Sequence, residues 1–240
     1  MGFTERRTSG PLLAVPSRAS SFIMARRDPG ILCFEHCGQR RIFCFELPEH
    51  CPACRAALLE DTSIIPFRVP FPFVKASQYP CAVVIKPTNG DFLNEYKLSM
   101  DLHIGITTTQ GQTVEYDKDG LSYGRDWSEC LLVYQLQIQD EEAIEIWDSV
   151  IDQVSSLDSW SPLRYNEETF NCYTFVLAFL RCLKYPPLTE AVKSKTIFCE
   201  HFVLPRTEIA WKYIKLYRRL KDSGYYVSKI NKSDITECGL

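Results

Sequence analysis

The stretch Leu102–Thr108, LHIGITT, followed after Gln110-Gly111 by Thr113–Tyr116, TVEY, decides the fold of this chain. Both runs are rich in β-branched residues, and the glycine-containing turn between them favours an antiparallel hairpin. Apolar runs on either side, Cys81–Lys86 (CAVVIK) and Leu131–Ile138 (LLVYQLQI), indicate further buried strands. We therefore predict that an antiparallel sheet forms the centre of the protein.

Three helices are predicted to follow this sheet. The first has an apolar face at helical spacing, formed by Ala143, Trp147, Val150, Ile151 and Val154. The second begins near Asn171 and ends before Pro186. The third starts after Pro205, with Thr207 as its predicted N-cap. Strands followed by helices indicate an α+β fold.

Composition divides the chain into five segments. Residues 1–30, with five arginines among Ser, Gly and Pro, predict a disordered basic arm, and residues 31–60 form a small module with five of the eleven cysteines. Residues 61–80 are a Pro- and Phe-rich connector, because its prolines exclude a helix and a central strand. The α+β domain is predicted over residues 81–225, and a flexible tail over residues 226–240.

The overall composition limits the class of protein. Apolar residues make up 45% of the chain, which is typical of a globular core, and the net charge of -3 gives no reason to expect nucleic acid as a partner. The longest apolar run near the N-terminus, Leu12–Val15, is too short for a secretory signal, and no run approaches the ~20 apolar residues of a membrane span. The cysteines are therefore interpreted as thiols or metal ligands in a soluble protein of the cytoplasm, the nucleus or both.

The cysteine-rich module predicts a metal site. Cys51-Pro-Ala-Cys54 is a Cys-x-x-Cys knuckle, in which two thiolates reach one tetrahedral Zn²⁺ at ~2.3 Å. In the first half of the module Cys37 is the best further ligand, because the glycine after it permits a tight turn. Cys33 or His36 would be the fourth ligand.

We take Cys33, Cys37, Cys51 and Cys54 as the predicted ligands of a structural Zn²⁺, with His36 as the alternative to Cys33. With the short strand expected in RRIFCFELP, the arrangement resembles a zinc ribbon. A closed four-ligand site would stabilise a module too small to fold by apolar burial alone. The competing interpretation is a set of small buried thiols, since free cysteine is often buried as a hydrophobic residue.

Two residues of the body carry candidate chemistry. His103 lies on a predicted strand, and Cys172 lies at the first turn of the predicted second helix. The start of a helix stabilises a thiolate through unpaired N–H groups and the helix dipole, and a nearby imidazole can take the thiol proton. The same N–H groups can hold a developing oxyanion. A histidine and a cysteine in these positions are therefore the smallest set of catalytic residues that a cysteine hydrolase or acyltransferase needs.

The order of a histidine strand followed by an Asn-Cys helix resembles the circularly permuted papain-like families, which include the PPPDE peptidases and the lecithin retinol acyltransferase-like proteins. The matching positions span about residues 81–185 and are His103 in HIGI, Glu115-Tyr116 with Gly120, Tyr165-Asn166, Asn171-Cys172 and Phe175. The resemblance implies a permuted papain-like body behind the zinc-ribbon-like module. The whole chain also resembles an uncharacterised vertebrate protein whose name implies no activity.

The resemblance implies a thiol hydrolase or isopeptidase with Cys172 as nucleophile and His103 as general base, either active or a degenerate relic. Its substrate would be a peptide, an isopeptide such as a ubiquitin-like conjugate, or an acyl thioester. Glu115 and Asp101 are the candidates for a third residue that orients His103.

Two functions of other classes compete with this prediction. The first is a non-catalytic pseudoenzyme that docks a protein partner through the module or through the basic face of the last helix. The second is a nucleic-acid role for the module, in which Arg40, Arg41 and the arginine-rich arm would contact phosphates. The net acidic charge of the chain argues against the second function.

Overall fold

A computed structural model of the protein describes residues 29–38, 40–58, 64–137 and 139–229. In these ranges the strands are β1 (Leu32–His36), β2 (Arg40–Cys44), β3 (Phe67–Arg68), β4 (Ala82–Pro87), β5 (Leu102–Thr107), β6 (Thr113–Asp117), β7 (Gly120–Tyr123), β8 (Leu131–Gln135) and β9 (Tyr225–Lys229). The helices are α1 (Glu141–Ser155), α2 (Cys172–Leu183), α3 (Lys195–Phe198) and α4 (Leu204–Ser223). The predicted α+β class is confirmed.

A five-stranded antiparallel sheet, in the order β7-β6-β5-β4-β8, forms the centre of the body. The predicted hairpin is its β5–β6 pair, in which Ile106 faces Val114 and Thr107 faces Thr113. The predicted strands before and after the hairpin are β4 and β8. The last predicted strand was expected to reach Ile138, which lies outside the described residues, and β8 ends at Gln135.

The first two helices pack together beside this sheet. All five residues of the predicted apolar face of α1 are buried. The Trp147 ring of α1 meets the Phe179 ring of α2 edge-on, with centroids 4.7 Å apart, and the Trp147 indole N–H donates to the Thr107 carbonyl at 2.8 Å. Aromatic pairs in this geometry add to the energy of burial. The Trp147 contacts thus join α1 to α2 and to the end of β5.

The last helix begins earlier than its sequence suggests. A π-helical turn over Cys199–Val203 connects α3 directly to α4, which begins at Leu204. Proline has no N–H to lose in a first helical turn, so Pro205 starts the helix rather than preceding it. The predicted N-cap at Thr207 is therefore wrong, and its hydroxyl donates to the Leu204 carbonyl inside the helix.

The cysteine-rich hairpin β1–β2 belongs to a four-stranded antiparallel sheet in the order β3-β1-β2-β9. Its outer strands come from distant segments, because β3 lies in the Pro-rich connector and β9 in the last described residues. Residues 226–229 of the predicted tail are thus part of a sheet, where Tyr226 stacks on Phe43 at 6.0 Å and the Arg219 guanidinium lies 4.2 Å from the Tyr226 ring centre. The rest of the predicted tail and nearly all of the predicted arm lie outside the described residues.

None of the helices in the described ranges combines the length and the apolarity that crossing a membrane would require.

Trp127 packs closely against β5 at Gly105, where there is little room for a side chain. A Cβ atom on Gly105 would lie 3.1 Å from the Val114 carbonyl oxygen and 3.2 Å from the Trp127 ring. Such distances are tighter than ordinary van der Waals contact, so a side chain there would push the indole away. The missing side chain of Gly105 therefore sets how closely Trp127 approaches the sheet.

We expect Gly105→Ala to lower the free energy of unfolding by about 1–3 kcal/mol, because the added methyl group overpacks the site. Chemical denaturation of the variant and of the wild type would measure this loss. Introducing Gly105→Ala into a Trp127→Phe background should cost less, since the nearest ring atoms are then gone. An equal cost in both backgrounds would show that the indole is not the obstacle.

Candidate active site and candidate metal centre

His103 is held by a buried carboxylate. Its Nε2 atom lies 2.7 Å from Oε2 of Glu115 on the neighbouring strand β6. His103 is 6% exposed and Glu115 is 1% exposed, so water does not compete for this bond. Of the two candidates for the third residue, the structure therefore joins Glu115 to His103. Asp101 lies on the wall of the adjoining cleft.

The Glu115 carboxylate is ionised because several donors and cations surround it. The Trp127 indole N–H donates to Oε1 at 3.2 Å, Lys86 Nζ lies 3.9 Å from Oε2, and Arg125 Nε lies 3.7 Å from Oε1. Burial alone would raise the pKa of Glu115, but the hydrogen bond with His103 and the charge of Lys86 lower the pKa below its usual value. Glu115 is thus a buried anion at neutral pH.

Cys172 is the first residue of α2, at a well-formed helix start. Asn171 is the N-cap: its side-chain oxygen accepts from the Tyr173 N–H at 3.0 Å, and its own N–H donates to the Thr174 hydroxyl at 3.1 Å. This reciprocal arrangement is a capping box, which fixes where a helix begins. The Asn-Cys step noted in the sequence is therefore a cap followed by a thiol at the positive end of the helix dipole.

The loop before α2 is ordered by polar and aromatic contacts. The side-chain oxygen of Asn166 accepts from the N–H groups of Glu168 and Thr169 at 3.0 and 2.9 Å. Asn166 and Phe170 also exchange two backbone hydrogen bonds, of 2.8 and 3.0 Å. The Phe170 ring stacks on Trp160, with centroids 5.2 Å apart. These contacts hold the segment that delivers Cys172.

The structure brings the predicted pair together. His103 and Cys172 both lie on the wall of one cleft, and the thiol is among the groups that raise the pKa of the imidazole. Burial would lower the pKa of His103, but the interactions with Cys172 and Glu115 outweigh burial and raise its pKa to about 9. Because Nε2 faces Glu115, Nδ1 is the ring nitrogen left for the thiol. The three residues form a chain from a buried carboxylate through an imidazole to a sulfur.

Cys172 and His103 lie on a shared cleft of about 860 Å³. Its wall also contains polar and charged side chains, among them Asp101, Tyr165, Glu167, Glu168 and Lys195. Cys172 is only 6% exposed, so it is a buried part of the wall of this polar cleft. The arrangement can place a carbonyl group of a bound molecule beside the thiol.

A second cluster lies in the cysteine-rich module. Ligand atoms of His36, Cys37, Cys51 and Cys54 all lie within 4.8 Å of one another, so the group could hold a metal ion. Cys54 Sγ is 3.4 Å from His36 Nδ1, and Cys37 Sγ is 3.8 Å from Cys51 Sγ. The structure thus brings together three of the four predicted ligands, with the alternative His36 in place of Cys33.

Strand alternation explains the difference between His36 and Cys33. Successive side chains of a strand point to opposite faces, so His36 shares a face of β1 with Phe34, whereas Cys33 lies on the other. Phe34 packs in the same small apolar cluster as Cys51. Cys33 is fully buried and pairs with Phe43 and Phe67 across the sheet. The spacing of Cys33 from Cys37 could not show this orientation before the strand was known.

Hydrogen bonding favours a thiolate at one member of the cluster. Burial would raise the pKa of Cys51, but hydrogen bonds from the backbone N–H groups of Cys54 and Ala53 lower its pKa to about 7. Burial, and then the interactions with Cys51 and Cys54, raise the pKa of Cys37 to about 11. Neighbouring thiolates repel each other, and a bound dication would relieve that repulsion.

Comparison with known proteins identifies relatives. A model described as DUF4796 N-terminal matches residues 29–58, and one described as DUF4796 C-terminal matches residues 66–220. The human MKRN2 opposite strand protein is 34% identical over 209 residues, which cover 85% of this chain and 92% of that protein. The whole-chain resemblance noted in the sequence was to this makorin opposite-strand protein, whose name describes a genomic position, and it is confirmed. No solved structure matches the chain.

We expect the His103 ring to titrate near pH 9 in an NMR experiment, because Cys172 and Glu115 stabilise the imidazolium. Glu115→Gln and Cys172→Ala should each lower that pKa, whereas Cys182→Ser, at an exposed thiol, should leave it unchanged. Since folding raises this pKa, the contribution of His103 to the free energy of unfolding is complete below about pH 6.5 and is lost as pH rises through about 9. A wild-type pKa near 6.5 would contradict the hydrogen-bonded chain.

Proposed function

The chain belongs to the DUF4796 family, and for this member we propose a thiol hydrolase or isopeptidase on a permuted papain-like body. The observation that carries the proposal is that Glu115 holds His103 through a buried hydrogen bond and that His103 shares a cleft with Cys172 at the start of α2. The substrate class is a carbonyl compound with a leaving group, namely a peptide, an isopeptide such as a ubiquitin-like conjugate, or a thioester. The order of the elements along the chain also supports the proposal, since the strand with His103 precedes the helix with Cys172, as in the permuted papain-like families.

The reaction proceeds in two acyl transfers. His103 takes the proton of the Cys172 thiol and becomes an imidazolium, the sulfur attacks the substrate carbonyl carbon, and the carbonyl π electrons move to oxygen. Collapse of this intermediate expels the amine or thiol, which takes its proton from the imidazolium of His103 and leaves a thioester on Cys172. His103 then removes a proton from water as the water attacks the thioester carbon. Collapse of this second intermediate breaks the carbon–sulfur bond and releases the acid, and the Cys172 sulfur takes the proton back from His103.

Glu115 is a positioning residue in this scheme. Its bond to Nε2 fixes the tautomer and the orientation of the His103 ring, so that Nδ1 faces the sulfur. As an anion it also stabilises the imidazolium that forms when the thiol loses its proton. Trp127 and Lys86, which hold the carboxylate itself, act on the imidazole through Glu115.

We expect iodoacetamide to alkylate Cys172 in a reaction that depends on His103. Mass mapping should find no adduct at this position in Cys172→Ser, and His103→Ala should lower the second-order rate constant about 10- to 100-fold because the thiolate loses its partner. Cys182→Ser serves as the matched control, since this thiol of α2 is exposed.

The same three variants would be tested for cleavage of an isopeptide-linked ubiquitin-like conjugate or an acyl thioester. Loss of cleavage in Cys172→Ser and His103→Ala, but not in Cys182→Ser, is the expected result. Alkylation of Cys172 that does not depend on His103, together with no cleavage, would reject the hydrolase and favour the pseudoenzyme that docks a protein partner.

For the cysteine-rich module we propose a structural Zn²⁺ in a zinc-ribbon-like site formed by His36, Cys37, Cys51 and Cys54. Three thiolates and one imidazole are a typical closed tetrahedral set for zinc. Bonds of ~2.3 Å at the tetrahedral angle separate two sulfurs by about 3.8 Å, and the Cys37 and Cys51 sulfurs are 3.8 Å apart. The cation would tie the end of the β1–β2 hairpin to the Cys51–Cys54 turn.

We expect the purified protein to contain one zinc ion per chain, as measured by inductively coupled plasma mass spectrometry. His36→Ala and Cys54→Ser should lose most of the zinc, whereas Cys33→Ala should keep it because Cys33 lies on the other face of β1. A chelator should lower the melting temperature of the wild type and not that of Cys54→Ser. Loss of zinc in Cys33→Ala, but not in His36→Ala, would mean that the ligand set is the other one.

A further inference from the structure

Tyr165 lies beside the proposed catalytic residues and is held in place. It lines the same cleft as His103 and Cys172. Its ring meets Tyr116 edge-on, with centroids 5.3 Å apart, and its N–H donates to the Pro162 carbonyl at 3.2 Å. The next residue in the chain begins the ordered loop that leads to α2. Ring and backbone contacts thus hold Tyr165 at the wall of the cleft.

The hydroxyl of Tyr165 differs from those of comparable tyrosines. The Tyr116 hydroxyl donates to the Ser161 carbonyl at 3.0 Å, and the Tyr185 hydroxyl donates to the Asp140 carboxylate at 2.6 Å. Within the part of the chain that the structure describes, the hydroxyl of Tyr165 has no such acceptor. A half-buried phenol on a polar cleft is therefore free to donate to a bound molecule.

The phenol of Tyr165 keeps its proton on the cleft that it shares with Cys172. Burial raises the pKa of Tyr165 to about 12, and a negative charge at Cys172 contributes to the increase. At neutral pH the group is therefore a hydrogen-bond donor. A donor beside the nucleophile stabilises negative charge that appears there during a reaction.

We infer that Tyr165 donates a hydrogen bond to the oxyanion that forms when Cys172 attacks a carbonyl group. The inference rests on the proposed function, because an oxyanion arises only if acyl transfer takes place. Cys172 is at the start of α2, where backbone N–H groups lack partners within the helix, so its N–H is the natural second donor. The phenol and this N–H would share the developing charge.

The step can be followed with p-nitrophenyl acetate as the probe. The Cys172 thiolate attacks the ester carbon, and the π electrons of the carbonyl move to oxygen. The oxyanion then re-forms the carbonyl and expels p-nitrophenolate, which leaves an acetyl thioester on Cys172. Alkylation by iodoacetamide forms a carbon–sulfur bond with loss of iodide and makes no oxyanion. Comparing the two reactions separates oxyanion stabilisation from thiolate reactivity.

The experiment compares Tyr165→Phe with Tyr116→Phe in the full chain. Tyr165→Phe should slow acetylation of Cys172 by about 10- to 100-fold and leave its alkylation by iodoacetamide within about twofold of the wild type. Tyr116→Phe, whose hydroxyl points to a backbone carbonyl instead, should change the ratio of the two rates little.

The outcomes distinguish this inference from the proposed function. If wild-type Cys172 is acetylated and Tyr165→Phe is acetylated equally fast, the inference is wrong and the hydrolase proposal survives. If both reactions slow together in Tyr165→Phe, Tyr165 supports the site only as packing, and the inference is also wrong. If the wild type is alkylated at Cys172 but never acetylated, the proposed function fails and the oxyanion role fails with it.

Discussion

The body of the protein is arranged around one buried carboxylate. A charge that is 1% exposed is expensive to remove from water unless donors and cations replace its hydration. For Glu115 that replacement comes from His103, the Trp127 indole and the Lys86 ammonium, which reach it from different strands and from the loop before β8. Removing one of these partners would leave the others around an under-compensated anion. The network therefore ties the position of the imidazole to the packing of the whole sheet.

Adjacent residues of β6 connect the two halves of the candidate site. Because side chains alternate along a strand, Glu115 and Tyr116 point to opposite faces. Glu115 reaches His103 on one side, whereas Tyr116 packs against Trp160 and Tyr165 of the loop before α2 on the other. One dipeptide thus aligns the imidazole and the segment that carries the sulfur. A shift of the β6 register by one residue would exchange these roles and separate the two groups.

The sequence predicted what local patterns encode. The apolar face of α1, the start of α2 near Asn171 and the strands β4 to β6 follow from periodicity, helix-boundary signals and turn residues, which act over a few positions. The sequence did not distinguish Glu115 from Asp101 as the partner of His103. The choice depends on the β5–β6 register, which pairs Ile106 with Val114 and, if continued, places Glu115 across from Gly105, two residues from His103.

Contacts between distant segments also decide features of the cysteine-rich module that the sequence could not predict. His36 and Cys33 stayed alternative ligands because the orientation of β1 was not known. The strands β3 and β9 were not predicted, because their short sequences form strands only beside their partners.

The pairing of β2 with β9 has a consequence for how the chain is made. The β1–β2 hairpin is synthesised before the body, but the strand that covers the edge of β2 contains residues 225–229 and follows the body in the chain. Until then the backbone N–H and C=O groups of that edge have no strand to pair with. An exposed strand edge can pair with the strands of other chains, which promotes aggregation. Completion of this sheet must therefore wait until the body between β2 and β9 has been synthesised, and a fragment that ends before residue 225 would keep the same edge exposed.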